Sequence, residues 1–220
     1  MKKLFPAGVA ICAVLFAYAP IAIGRAPYES TMGLVQKIFY FHVPSWFAMF
    51  LATFVCGIAG VVFLFTRRRA ADAVAVAAAE LAVLFGLLGL VTGPLWARKA
   101  WGVWWQWDAR LVTALVLWLI FAAYLLLRKY GGPGSERLAA GVALFGMANV
   151  PFVYWSVHMW RTIHPLTSVV PTLPRPLAGP LWLSVAAFLL LFVLLLGMRS
   201  RLERLRQALD DAYLTLEEQS

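Results

Sequence analysis

At 220 residues the chain has room for one or two soluble domains, but 63% hydrophobic and only 13% charged residues, with a mean hydropathy of +0.81, describe a protein whose preferred solvent is lipid. A net charge of +9 would suggest nucleic acid in a soluble protein. Here the bases sit at the ends of apolar runs, where they act as topology signals, so nucleic acid is set aside as a partner.

Six runs are long and apolar enough to cross about 30 Å of hydrocarbon, which takes about 20 helical residues. They extend from Leu4 to Ile23, Val43 to Thr66, Val74 to Leu95, Leu111 to Leu127, Leu138 to Val157 and Leu181 to Met198. Each is expected to be helical, because open strand edges have no hydrogen-bond partners in lipid. The predicted class is an all-α integral membrane protein with six transmembrane helices. Lys2 and Lys3 precede the first run, but no small-residue cleavage pattern precedes Gly24 and Arg25, so this run reads as an anchor rather than a signal peptide. Cys12 and Cys56 each lie inside an apolar run, which leaves no disulfide framework and no C-x-x-C site.

Orientation follows from the nineteen Lys and Arg residues. If both termini share one side, that side receives twelve: Lys2, Lys3, Arg67, Arg68, Arg69, Arg128, Lys129, Arg137, Arg199, Arg201, Arg204 and Arg206. The positive-inside rule then places the N and C termini in the cytoplasm. The other side receives Arg25, Lys37, Arg98, Lys99, Arg110, Arg161 and Arg175 against two acids, Glu29 and Asp108. These outer bases face either anionic headgroups or an anionic ligand.

The cytoplasmic features carry less. "GGPGSER" at 131–137 is a Gly/Pro turn without the Lys of a phosphate loop, so the chain holds no ATP site of its own. The chain divides into a membrane domain, 1–198, and a cytoplasmic amphipathic tail, 199–220. In the tail, Leu202, Leu205, Leu209 and Tyr213 recur at helical spacing, as suits a helix on the membrane surface or against a partner. Glu80, near the cytoplasmic end of its span, is placed to snorkel, and Asn149, two residues before Pro151, to satisfy a kinked backbone. Neither extends into the continuous polar path that an ion channel requires.

All three histidines lie toward the outer face. His42, in "FYFHVPSWF", falls just before the second span, with Pro44 in the first helical turn. The positive end of the helix dipole favours neutral imidazole there, the form that binds metal. His158 and His164, in "SVHMWRTIHPL", sit six residues apart in the loop between helices five and six. That spacing is about 240° around a helix, so they do not share a face. His164 precedes Pro165, which turns its backbone out of the helical region and frees the ring, whereas His158 continues the end of helix five.

The external loop between helices three and four reads "KAWGVWWQWDAR", residues 99–110. If 101–108 is helical, Trp101, Trp104, Trp105 and Asp108 share one face, Trp107 points elsewhere, and Gly102 lets something large approach the backbone. An aromatic belt would also place Trp at span ends, but belts are scattered over all ends rather than concentrated in one segment. Asp108 is placed either to orient Arg110 or an indole N–H, or to cap helix four.

"WGVWWQWDAR" matches the W-G-x-x-W-x-W-D signature of the tryptophan-rich haem-handling membrane proteins, and "YFHVP" and "RTIHP" resemble their two external histidines. With six spans, the chain resembles the CcmC family of cytochrome c maturation over nearly its whole length. The resemblance implies haem b held as transient cargo at the periplasmic face of the bacterial inner membrane, with His42 and His164 as axial ligands. Trp101, Gly102, Trp104, Trp105, Trp107 and Asp108, together with Arg110, then carry the porphyrin edge, and Lys37 and Trp96 match further family positions. His158 matches no family ligand. Two propionates need cations, for which Lys37, Arg98, Lys99, Arg110 and Arg161 are on the right side, Arg110 foremost. The implied partners are a CcmE-like haem chaperone, the ABC-type subunits CcmA and CcmB that hydrolyse ATP, and the small subunit CcmD. The chain itself would then not be an enzyme. A cytochrome c synthetase-type haem lyase shares the signature, but such proteins are longer and carry histidines within their spans, which the six runs here lack. A membrane scaffold without a cofactor is the remaining alternative.

Overall fold

Backbone in lipid must hydrogen-bond to itself, and in the computed structural model it does so as helix alone. The structure describes residues 4–30 and 32–217, apart from the side chain of 214. In chain order the helices are α1 (Leu4–Arg25), α2 (Phe39–Thr66), α3 (Arg69–Trp101), α4 (Ala109–Tyr130), α5 (Ser135–Met159) and α6 (Arg175–Glu217), with 3₁₀ turns at Leu34–Ile38 and Thr167–Val169. Among the described residues no strand forms, and one isolated bridge joins Glu29 to Gly33. All six helices are long and apolar enough to cross a membrane. Lys2, Lys3 and the last residues of the tail, 218–220, lie outside the described residues.

The helices overrun the apolar runs that announce them. Hydropathy marks where side chains meet lipid, whereas the hydrogen-bond ladder continues until a cap or a proline stops it. α2 therefore starts at Phe39, four residues before the apolar run, so that His42 lies inside the helix and Pro44 in its second turn. The Leu34–Ile38 turn leads into it, and the helix N-terminus expected beside His42 falls further back in the chain. α6 runs for 43 residues without a break at Met198, so the first part of the tail continues the last span.

Small residues decide how the bundle packs. In lipid there is little hydrophobic drive between helices, and close backbone approach through Gly and Ala supplies van der Waals contact instead. On α2, Ala48, Ala52 and Cys56 are fully buried, as are Ala78, Ala79 and Ala82 on α3. Toward one end of this pair the spacing becomes tighter. A Cβ at Gly86 would sit 2.7 Å from the Met49 sulfur, one at Gly89 2.6 Å from the Trp46 ring, and one at Gly93 3.3 Å from His42 Cε1. Three glycines on one stripe of α3 thus receive three side chains of α2 in reverse order.

Polar side chains lock the opposite end. Arg128 of α4 makes paired hydrogen bonds of 2.6 and 2.8 Å to Asp72 of α3, whose Oδ2 also accepts from Gln207 of α6 at 3.0 Å. Arg199 donates twice to Glu80 at 2.6 Å, and Arg69 pairs with Asp211. Glu80 is therefore neutralised by α6 rather than left to snorkel alone. Asn149 donates to the Thr113 carbonyl of α4 at 3.3 Å, joining two helices instead of repairing a kink at Pro151.

Removing one partner of a nearly buried ion pair strands the other charge. Asp72 and Arg128 expose only 7% and 14% of their side chains. Asp72→Ala is expected to destabilise the protein by about 3 kcal/mol or more, and adding Arg128→Met to recover most of that loss. Thermal unfolding of the detergent-solubilised variants measures both.

Candidate functional site

At the glycine-lined end of the bundle, the start of α2, the end of α3, the start of α4 and the loop 160–174 enclose a cleft, partly open to its surroundings. Its walls include His42, Trp46, Trp96, Trp101, Trp104, Trp105, Arg110 and His164. Two imidazoles far apart in sequence thus face one space, with indoles around them and a single guanidinium.

His42 is 8% exposed, wedged edge-on between Trp96, 5.8 Å away, and Trp46, 6.3 Å away, measured between ring centres. Its Nδ1 lies 3.0 Å from Thr92 Oγ1. Trp96 is itself fixed, its indole N–H pointing at the Met32 sulfur and its ring stacked on Trp101 at 6.2 Å and 22°. One continuous aromatic surface therefore runs from α2 across the end of α3.

α3 stops at Trp101, so the helix expected over 101–108 does not form. Gly102 adopts φ 78°, a left-handed conformation that costs glycine little and ends the helix, and Arg98 donates to its carbonyl at 2.5 Å. The role of Gly102 is this cap, with open space where a Cβ would be. Past it the segment is irregular, with a bend at Trp104, and the tryptophans separate. Trp105 lines the cleft with its indole N–H buried and unpartnered, while Trp104 lines the rim, 57% exposed beneath Arg98. Trp107 is 77% exposed, edge-on to Trp105 and outside the cleft lining.

Asp108 has two structural roles. One carboxylate oxygen caps α4 by accepting from the Leu111 N–H at 2.9 Å. The other accepts from the Thr162 hydroxyl at 2.6 Å and the Ile163 N–H at 3.2 Å. Thr162 in turn accepts from the His164 N–H at 3.0 Å, so Asp108 anchors the loop that carries this histidine. Arg110 enters the cleft from the first turn of α4 and donates to the Val153 carbonyl of α5. Lys37 lies away from the cleft lining, donating to the carbonyls of Ile23 and Ala26 at 2.7 and 2.5 Å, where it caps the C-terminus of α1.

His164 Nδ1 is 2.8 Å from the Pro165 carbonyl, which can only accept. Its proton is therefore on Nδ1, and Nε2 keeps a free lone pair. Burial first, and then the nearby Arg110 charge, hold this imidazole down to about 4. His158, at the end of α5, bonds to Thr167 on the exposed side and is absent from the cleft. Sequence reasoning passed over Thr92, Gly89, Gly93 and Trp46, whose only signal was the spacing of glycines along α3.

A six-helix membrane protein with a tryptophan-walled cleft presenting two imidazoles is the class that fold and site define. The family model described as heme exporter protein C matches residues 1–214. The chain is 36% identical over 212 residues to heme exporter protein C of Bradyrhizobium diazoefficiens, covering 93% of this chain and 80% of that one. It is 32% identical over 187 residues to the protein of the same name from Escherichia coli K12, covering 81% and 74%. A ccmC-like mitochondrial protein of cytochrome c biosynthesis from Marchantia polymorpha is 32% identical over 149 residues, covering 68% and 64%. The chain belongs to the heme exporter protein C, or CcmC, family.

A value near 4 for His164 means that the ring stays neutral as pH falls through the range in which a free imidazole gains its proton, near 6.5. In histidine-labelled apoprotein, the His164 ¹⁵N resonances, assigned with His164→Ala, are expected to hold still from pH 7.5 to 5.5. Movement centred near pH 6.5 would show that the ring is solvated instead.

Proposed function

We propose that this chain is a haem-handling subunit of cytochrome c biogenesis, holding haem b as cargo in the cleft with His42 and His164 as axial ligands. The observation that carries the reading is the pair of imidazoles, held by separate elements, lining one indole-walled cleft. Among the described residues no three His, Cys, Asp or Glu side chains gather to cage a metal ion. Two imidazoles instead suit a metal whose other ligands come with it, as the four pyrrole nitrogens of haem do.

The rest of the cleft fits the same cargo. Indole faces match a flat apolar macrocycle, and exclusion of water strengthens the polar contacts that remain. The buried, unpartnered N–H of Trp105 would cost free energy if left unpaired, and a propionate oxygen is an acceptor that would satisfy it. Arg110 supplies the positive charge. Asp108 contributes through the loop it anchors, Trp107 and Lys37 through neighbouring structure, and Gly102 through the cap of α3.

Topology completes the proposal. The excess of Lys and Arg at the ion-paired end supports a cytoplasmic place for that end and for both termini, with the cleft then facing the periplasm of a bacterial inner membrane. From there haem would be loaded on a CcmE-like chaperone. ATP hydrolysis would come from ABC-type subunits resembling CcmA and CcmB, accompanied by a CcmD-like small subunit and met at the cytoplasmic end by the 199–220 region. The relatives carry the names of exporters, which favours a transfer subunit over a haem lyase.

Titration of the purified protein with haem, followed by absorption, tests the ligand assignment. The wild type and His158→Ala are expected to give the low-spin spectrum of bis-imidazole haem, and His42→Ala and His164→Ala each to lose it. No Soret shift in the wild type, or the wild-type spectrum retained in both variants, defeats the proposal. In the same titration, Arg110→Gln is expected to weaken haem binding about tenfold, or about 1.4 kcal/mol, the scale of one charge-assisted hydrogen bond.

A further inference from the structure

We infer that Thr92 is a positioning residue that sets the tautomer of His42, keeping the proton on Nδ1 and leaving Nε2 bare. The inference rests on the haem-ligand reading above, but its geometry stands in the protein alone. Thr92 lies on α3, and its hydroxyl has one proton. That proton is committed within the helix, to the Leu88 carbonyl at 2.7 Å with the Gly89 carbonyl nearby at 3.3 Å. What the hydroxyl turns toward His42 Nδ1, 3.0 Å away, is therefore a lone pair.

Only Nδ1–H can share that lone pair. A neutral ring with its proton there has a bare Nε2, and Nε2 is the nitrogen free to meet a metal. His164 reaches the same tautomer by another device, the carbonyl of Pro165. His164 thus faces a backbone carbonyl alone, whereas His42 Nδ1 faces a side-chain hydroxyl with the Gly89 carbonyl close by.

Gly93 makes the contact possible. A Cβ there would lie 3.3 Å from His42 Cε1 and 3.8 Å from Nδ1, tighter than ordinary packing at the first of these. The adjacent pair "TG" therefore divides the work, the glycine letting the ring lie against α3 and the threonine meeting it with an acceptor. Outer partners of metal-bound histidines fix the ring and raise its basicity, and their loss typically weakens metal affinity about 10–100-fold. A hydroxyl already engaged as a donor performs that duty without adding a charge to a buried site.

The test compares Thr92→Val, nearly the same shape with no acceptor, against Thr92→Ser, which keeps it. In ¹⁵N-histidine-labelled apoprotein in detergent, with His42 assigned from His42→Ala, the wild type and Thr92→Ser are expected to show protonated Nδ1 and bare Nε2. Thr92→Val is expected to show a mixture of tautomers. With haem added, Thr92→Val is expected to bind about 10–100-fold more weakly, to gain a high-spin fraction, and to shift to a more positive midpoint potential as the imidazole donates less to ferric iron. Thr92→Ser should restore all three. A wild-type ring protonated on Nε2, or a Thr92→Val protein matching the wild type in tautomer, affinity and potential, overturns the inference. If the wild type takes up no haem, or takes it up without His42, the ligand reading fails on its own account, and the apoprotein tautomer still decides the role of Thr92. The tautomer readout also separates a positioning role from simple loss of fold, which would scatter all three histidine signals.

Discussion

The close approach of α2 to α3 is the constraint on which the rest depends. In water two such apolar helices would be pressed together by solvent, but in lipid they meet only if their surfaces interlock. Gly86, Gly89 and Gly93 leave three hollows, and Met49, Trp46 and His42 fill them. The last of these contacts brings an imidazole against Thr92, so the packing that joins the helices also fixes a ring in the cleft. A larger residue at Gly89 would push Trp46 outward and carry His42, one helical turn away, with it.

A second constraint comes from Asp108. A carboxylate has two oxygens, and here one closes the first turn of α4 while the other gathers Thr162 and Ile163. The acid in the tryptophan motif thereby sets the place of a histidine more than fifty residues later. Arg110, two residues on, sits beside that histidine and helps to keep it uncharged. Motif, loop and ligand candidate form one assembly because a single side chain spans them.

Much of this was legible in the chain. Six helices followed from six apolar runs, since lipid admits few alternatives. His42, His164, Trp101, Trp104, Trp105 and Arg110 were singled out and share the cleft. The misplacements have physical causes. A helical pattern over 101–108 satisfied spacing, but Gly102 can take a positive φ at little cost, and the chain used that freedom to end α3. Lys37 carries the right charge for an anion, yet the open carbonyls of Ile23 and Ala26 are nearer partners. Thr92 and the glycines of α3 carry no charge and no ring, so composition gives them no emphasis. Their importance comes from what lies opposite, and that is known only once two helices are set side by side.

The supports of the two imidazoles differ in kind. His42 stands on a helix, held by glycine hollows and flanking indoles, while His164 lies on an irregular loop tied down by Asp108, by the His158–Thr167 hydrogen bond and by Val170 and Leu173 against the core. A change in the 160–174 loop therefore bears on His164 more directly than on His42, whose contacts are with α3 and its neighbouring indoles.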